Sequence, residues 1–242
     1  MVGTLINTVT VIIGSLLGTV LGNKLPSKMR ETVVYGLGLM TAVVGMQMAL
    51  QTTNVLLVMG SILVGGVLGE WWNIDAGLNA AGRWLEVRIG NKMGGTGDER
   101  SLTRAFVTAS LVFCVGPLTV LGSIQDGLTG DYTLLAIKSL LDGFAALAFA
   151  ASMGPGVIWS ILTIIVFQGG LSLSAMGFGD LLGTVTRQTP WVIEMTAAGG
   201  VLMLGIALLL LDLRKIRVAN LLPAVIVAPL AQIVLELIGK KP

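Results

Sequence analysis

The sequence predicts an all-α membrane protein, a polytopic bundle of about eight transmembrane helices. Hydrophobic residues make up 54% of the 242 residues and charged residues only 12%, whereas a soluble domain carries about a quarter charged residues. The mean hydropathy is +0.89. The apolar residues form long continuous runs, which indicate spanning helices and not the alternating strands of a membrane barrel.

Eight of these runs approach the roughly 20 residues that a helix needs to cross a bilayer. We predict spans over 3–22, 32–50, 54–70, 105–125, 132–152, 155–176, 190–211 and 218–238. Each is expected to be helical, because backbone groups in lipid must be satisfied within the segment. We interpret the first run as a span and not as a cleaved signal, since no basic segment precedes it. Residues 1–242 are treated as a single transmembrane domain.

Basic residues are concentrated in the loops after spans one, three and seven. They are Lys24, Lys28, Arg30, Arg83, Arg88, Lys92, Arg100, Arg104, Arg214, Lys215 and Arg217. Because cytoplasmic loops of membrane proteins carry an excess of Lys and Arg, we predict that both termini lie outside the cytoplasm.

The loop at 73–100 is predicted to contain an amphipathic helix on the cytoplasmic interface. Its apolar residues recur at helical spacing, and its charged residues face elsewhere. The predicted apolar face is Ile74, Leu78, Ala81, Leu85 and Ile89, and the charged side chains are Arg83, Glu86, Arg88 and Lys92. Two interpretations remain open, a simple surface helix and a docking or regulatory element.

Spans four and eight contain prolines and are predicted to be broken or kinked. Pro117 follows Gly116 in span four, and Pro223 and Pro229 lie in span eight. A broken helix frees backbone groups that build substrate and ion sites in transporters, although a plain proline kink is the alternative. We also expect an internal duplication. Residues 3–13 resemble 156–166, which would make the repeats inverted, and 114–121 resemble 226–234, which would make them parallel.

The most informative polar residues are Lys138 and Asp142 in span five, four residues apart and therefore on one helical face. Asp142 is expected near the middle of the bilayer, and Lys138 is expected to extend its ammonium outward along its apolar stem. Ionisable groups inside a span are costly and are functional candidates by default. An ion- or proton-coupled binding site and a structural ion pair are both consistent with this spacing.

Further candidates for substrate or ion binding are Asp126, Gln125, Gln168, Pro117 and Asn7. Asp126 could instead be an interfacial helix cap, and Asn7 is expected to hydrogen-bond another helix. A local helix break is expected at Gly169 and Gly170, directly after Gln168. Glu194 is expected to interact with the dipole at the start of span seven.

Gly14, Gly18 and Gly22 have the spacing that lets two helices approach closely. Packing within the chain is the simpler interpretation, and a homo-oligomer contact is the alternative.

Four blocks carry a resemblance to a known family: GTLINT at 3–8, VGPLTVLGSIQDGL at 115–128, KSLLDGFAALAFA at 138–150 and FQGG at 167–170. The whole chain resembles the bacterial membrane proteins of domain-of-unknown-function family 554. The resemblance implies a multi-pass protein of the bacterial inner membrane. It implies no substrate or reaction.

We therefore expect a small secondary transporter or channel-like carrier for an ion or small polar solute, with its site around spans four to six. The alternative is a non-transporting scaffold or regulator that acts through 73–100. We expect no enzyme activity and no catalytic residues, since the chain lacks histidine and only an Asp126–Asp142 pair could serve an aspartyl mechanism. We expect no metal, no cofactor and no nucleic-acid partner, because the single cysteine and the net charge of +2 support none of them. No nucleotide-binding loop is present.

Overall fold

The computed structural model of the protein describes residues 1–89, 99–182, 185–186 and 188–239, and these residues form helices without any strand. The helices are α1 (Val2–Gly22), α2 (Ser27–Ala49), α3 (Val55–Trp72), α4 (Ile74–Ile89), α5 (Glu99–Val115), α6 (Pro117–Leu128), α7 (Thr133–Met153), α8 (Ser160–Leu182), α9 (Pro190–Leu210) and α10 (Ala224–Gly239). Short 3₁₀ turns at Pro155–Trp159 and Val218–Leu221 precede α8 and α10. The predicted polytopic helical fold is confirmed.

Seven helices among the described residues are long and apolar enough to cross a membrane, and a bent pair, α5 with α6, provides an eighth candidate. The two halves of the pair meet at 61°. The neighbouring helix α8 shows how the pair runs. Thr163 of α8 donates a hydrogen bond to Ser110 of α5 (2.9 Å), and further along α8 Ser172 donates to the carbonyl of Ser123 on α6 (3.0 Å).

These contacts advance along α5 and α6 in the same direction as along α8. A re-entrant loop would turn back after its first half, and its second half would then run against α8. The bent pair therefore runs in one direction, as a single broken span does, and it brings the number of candidate spans to eight.

The helices form two compact units that interleave along the chain. The first unit contains Met1–Leu37, Gly77–Cys114 and Leu118–Thr184, and the second contains Gly38–Ala76, Val115–Pro117 and Val185–Pro242. Neither unit is a continuous stretch of sequence.

The first unit is organised by close packing of α1 on α7. A Cβ atom added at Gly14, Gly18 or Gly22 would lie 2.2, 2.2 or 2.4 Å from a backbone oxygen of α7. These oxygens belong, in the same order, to Gly143, Leu147 and Ala151. The two helices therefore run parallel, with only glycine fitting between them. Packing within the chain is confirmed, and the homo-oligomer contact through these glycines stays a prediction.

The second unit is built around α9, whose side chains are mostly buried. Its core joins α3, α9 and α10 through small and apolar residues. The cluster consists of Leu57, Val58, Ala197, Ala198 and Ala228. Gly69 of α3 lies so close to the carbonyl of Asn220 that an added Cβ atom would come within 1.8 Å of it. The 3₁₀ turn before α10 is thus held tightly against α3.

The amphipathic helix predicted within 73–100 forms as α4, but its buried face differs from the prediction. Leu85 is buried as expected, whereas Ala81 is exposed. Gly82 is the residue that faces α5, where an added Cβ atom would lie 2.8 Å from the Thr103 side chain. Glu86, predicted to face away, accepts a hydrogen bond from Thr103 (2.5 Å). The missing side chain at Gly82 lets α5 approach and turns the buried face toward it. Lys92 lies outside the described residues.

Two predicted helix breaks have different outcomes. α8 continues through Gly169 and Gly170, so the break expected there is wrong. Backbone groups in an apolar environment favour unbroken helical hydrogen bonding even at glycine. Span eight is interrupted before α10, close to Pro223, whereas Pro229 lies inside α10. The internal duplication stays a prediction.

Candidate functional site

The break in span four is the first component of the site. α5 ends at Val115 and α6 begins at Pro117, as the sequence predicted. The break leaves carbonyls at the end of α5 without helical donors. Thr119 satisfies one of them, because its hydroxyl donates to the carbonyl of Phe113 (3.0 Å). The side chain of Pro117 lies outside those that the structure describes.

Gln168 lies on α8 level with this break. It is placed between Thr163, which contacts α5, and Ser172, which contacts α6. Its side chain is fully buried. Spans four and six are therefore neighbours inside the first unit, and the shared site stays a prediction.

A buried polar network joins three helices at this level. Asn7 of α1 donates through Nδ2 to Oδ2 of Asp142 on α7 (3.0 Å) and to Oε1 of Gln168 on α8 (3.2 Å). Lys138 forms an ion pair with the same Oδ2 of Asp142. All four residues are less than one-tenth exposed. The predicted Lys138/Asp142 pair and the predicted interhelical bond of Asn7 are both present.

The position of Lys138 corrects one expectation. Its ammonium does not extend outward along the helix but turns toward Asp142, and the residue is only 4% exposed. A carboxylate one helical turn away offers the ammonium a partner inside the protein, so the side chain need not reach the interface.

Two polar atoms of the network have no hydrogen-bond partner among the described residues: Oδ1 of Asn7 and Nε2 of Gln168. The orientation of both amides follows from the carboxylate. Asp142 in its ionised form only accepts, so Asn7 must present its nitrogen, and that nitrogen in turn requires the oxygen of Gln168. The network thus leaves one acceptor and one donor unused in an environment where such atoms are costly.

Cys114, at the end of α5, lies beside this network. It is buried, and its thiol lies close to the Thr163 side chain and within electrostatic range of Lys138 and Asp142. Cys114 was not among the predicted site residues, because nothing in its position along the sequence indicates that it lies near α7.

Asp126 and Gln125 lie on α6 in the first unit. Asp126 is buried within α6, so it is not a helix cap, and Oδ2 lies 2.9 Å from the amino group of Met1. Gln125 is its neighbour on α6 and is partly buried. Asp126 and Asp142 have separate partners.

The second unit contains a buried carboxylate that the sequence argument ranked low. Glu194 of α9 is fully buried and accepts hydrogen bonds from the loop between α2 and α3. The donors are Oγ1 of Thr52 (2.5 Å), the backbone N–H of Thr53 (3.0 Å) and Oγ1 of Thr53 (2.9 Å). This differs from the expected interaction with the start of α9 itself. The available sequence signal was the polar run QTTN between two apolar spans.

A family model described as "Protein of unknown function (DUF554)" matches residues 2–233. The chain is 28% identical over 243 residues to "Uncharacterized membrane protein YdfK" of Bacillus subtilis, covering 99% of each chain. It is 28% identical over 227 residues to "Uncharacterized protein YqgA" of Escherichia coli, covering 94% of each. No solved structure matches it significantly.

Proposed function

This chain belongs to the DUF554 family of proteins of unknown function, and we propose that it is a small secondary transporter for a monovalent cation or a small cationic solute. The observation that supports this proposal is the buried network of Asn7, Lys138, Asp142 and Gln168. We place the protein in the bacterial inner membrane with both termini outside the cytoplasm, and we expect no enzyme activity.

The unused atoms of the network favour a binding site over a structural ion pair. A pair that only held α7 in place would be most stable with every polar neighbour satisfied. Here the oxygen of Asn7 and the amide nitrogen of Gln168 have no partner among the described residues. A cation would satisfy the oxygen of Asn7, and a hydrogen-bond acceptor on a cationic solute would satisfy the amide nitrogen of Gln168.

The chemistry of the site suits a cation. Asp142 supplies a carboxylate and Asn7 an unused amide oxygen, and the amide oxygen of Gln168, which accepts from Asn7, has a second lone pair. Oxygen atoms are the ligands that hard cations prefer. In the structure the ammonium of Lys138 is paired with the Asp142 carboxylate, in the place that a bound cation would take.

Exchange between Lys138 and an incoming cation would couple transport to protons. A cation that binds Asp142 displaces the ammonium, and Lys138 then loses one proton, so that the net charge of the buried site does not change. When the cation leaves, Lys138 takes up a proton and returns to Asp142. One proton therefore moves for each monovalent cation, and the energy source is an ion gradient.

The broken span supports this assignment. Transporter sites commonly lie near the middle of the membrane where helices are interrupted, because the break exposes backbone groups and provides a point of movement. The break between α5 and α6 lies at the same level as Gln168 on α8. Cys114, next to the break, is within electrostatic reach of Lys138 and Asp142.

The alternative, a scaffold that acts through 73–100, has less support. Among its described side chains, α4 exposes the large apolar residues Trp84 (58%) and Val87 (80%), and the guanidinium of Arg88 lies 5.4 Å from the Trp84 ring. Exposed tryptophan and basic residues are typical of helices that lie in the headgroup region of the membrane, so these side chains need no partner protein to cover them.

The test is a thermal-unfolding screen of purified protein with alkali cations, small amines and amino acids. Binding to the folded state raises the apparent stability by mass action. Wild type is compared with Asp142→Asn and with Asp131→Asn. Asp131 is an exposed carboxylate before α7, and hydrogen bonds from the Thr133 side chain and backbone amide hold its pKa below the usual range. Asp131→Asn therefore removes one negative charge, as Asp142→Asn does, but from an exposed position outside the network.

We expect a cation that stabilises wild type and Asp131→Asn but not Asp142→Asn. Addition of this cation to weakly buffered wild type should release protons, and Lys138→Met should abolish the release. If no cation or cationic solute stabilises wild type, and Asp142→Asn is merely less stable, the network is a structural ion pair and the transport proposal fails.

A further inference from the structure

A cavity of about 570 Å³ lies in the second unit, where α3, the loop after α9 and the 3₁₀ turn before α10 meet. Its charged lining residues are Glu70, Arg214, Lys215 and Arg217. We propose that this basic cavity binds the phosphate of an anionic lipid headgroup. The proposal is independent of the transport site, which lies in the first unit.

The charges in the cavity are not balanced. Nη2 of Arg217 lies 2.8 Å from Oε1 of Glu70, so this pair is neutral as a whole. Arg214 and Lys215 are exposed and have no ion-pair partner within the described part of the chain. The lining therefore carries an excess of two positive charges, and the oxygens of a phosphate accept well from both guanidinium and ammonium donors.

The depth of the cavity favours a lipid over a soluble ligand. It is formed where α3 and α9 end and α10 begins, and the ends of spanning helices lie at the level of the headgroups. Trp71 and Trp72, the residues after Glu70, are 79% and 63% exposed, which is typical of the aromatic belt at that level. Basic pockets between helices at this depth are known to hold anionic headgroups.

One wall of the cavity contains a neutral donor. Oδ1 of Asn220 accepts a hydrogen bond from the backbone N–H of Asp75 (2.6 Å), which fixes the orientation of the amide. Its Nδ2 is buried and has no partner among the described residues. Because Asn220 is packed against Gly69, this wall is rigid, and the donor remains beside the cavity.

An excess of basic residues on one side of a membrane protein is common and does not by itself make a site. The cavity distinguishes these residues from the basic residues of the loop between α1 and α2. The substitutions Lys24→Gln, in that loop, and Lys28→Gln, in the first turn of α2, together remove the same number of charges from exposed positions outside the cavity.

The experiment measures thermal unfolding of the purified full-length chain in detergent during titration with phosphatidylglycerol, phosphatidylcholine or inorganic phosphate. Wild type is compared with the pair Arg214→Gln and Lys215→Gln, with the Lys24 and Lys28 pair, and with Glu70→Gln. We expect phosphatidylglycerol to stabilise wild type and phosphatidylcholine to have little effect. Loss of two basic residues should weaken phosphatidylglycerol binding roughly 30-fold.

The control pair should bind like wild type, and Glu70→Gln should bind more tightly, since the variant frees Arg217. Stabilisation by inorganic phosphate at similar concentrations would identify a soluble phosphate-bearing ligand and overturn the lipid assignment. Equal weakening in both double variants would show that only overall charge matters, and the cavity would then not be a site. Unchanged melting temperatures without lipid establish that the exposed substitutions leave the fold intact.

Discussion

Nδ2 of Asn7 donates a 3.0 Å hydrogen bond to Oδ2 of Asp142, although 135 positions separate the two residues in the chain. The glycine contacts between α1 and α7 hold the two side chains at the same level. Any loss of that packing would separate the amide from the carboxylate. The site and the helix contact beside it are therefore expected to respond together to substitution.

Neutralising one partner of the Lys138/Asp142 pair should destabilise the protein more than neutralising both. Lys138→Met leaves a buried carboxylate and Asp142→Asn leaves a buried ammonium, and each single loss is expected to cost about 3–5 kcal/mol. The double variant buries no unpaired charge, so its loss of unfolding free energy should be smaller than the sum of the losses of the two single variants. Denaturant unfolding of the four proteins measures this coupling. If the stability losses of the two single variants simply added in the double variant, the two side chains would not be paired.

Gly18→Ala should destabilise the first unit. The new Cβ atom would lie 2.2 Å from the carbonyl oxygen of Leu147, so α1 and α7 must move apart, at a cost of about 1–3 kcal/mol. Gly60→Ala is the matched control, because nothing lies within 4 Å of the position of its Cβ atom. The control should be neutral or gain up to about 1 kcal/mol of helix propensity. Similar melting temperatures for the two variants would argue against the close contact.

Glu194→Gln should loosen the loop between α2 and α3. The amide has one acceptor oxygen in place of two, so at least one of the donors on Thr52 and Thr53 loses its partner, at a cost of about 1–3 kcal/mol. Hydrogen exchange at the Thr53 amide is expected to become faster. Glu236→Gln serves as the control, since Glu236 accepts a hydrogen bond from Gln232 on the same helix and does not contact the loop. Unchanged exchange in Glu194→Gln would show that the buried carboxylate does not hold the loop.

Single cysteines test the predicted orientation. In a Cys114→Ser background, Thr129→Cys lies in the turn between α6 and α7, and Lys24→Cys lies between α1 and α2; both native residues are exposed. An impermeant thiol reagent added to intact cells should label position 129 and not position 24. The opposite pattern would place the termini in the cytoplasm.

Several features of the site followed from sequence. The pair at Lys138 and Asp142 was visible because charges inside an apolar run stand out, and a spacing of four residues places them on one helical face. The break before Pro117 was visible because proline removes a backbone donor. These are local properties that do not depend on the neighbouring helix.

Other features depended on packing. The buried face of α4 includes Gly82 in place of Ala81, because the absence of a side chain at Gly82 lets α5 approach. α8 remains helical through Gly169 and Gly170, where glycine content alone suggested a break. Glu194 is a buried acceptor because donors from a distant loop reach it.

The sequence by itself determined that this chain crosses the membrane about eight times and which spans carry polar residues, because the cost of polar groups in lipid acts on each segment separately. Only the tertiary structure decided which helices are neighbours, and therefore that Asn7 meets Asp142 and that Glu194 meets Thr53. Apolar helix faces are nearly equivalent in lipid, so hydropathy does not choose between partners. The choice depends on close backbone approach at glycines and on the hydrogen bonds that become available once two helices are in contact.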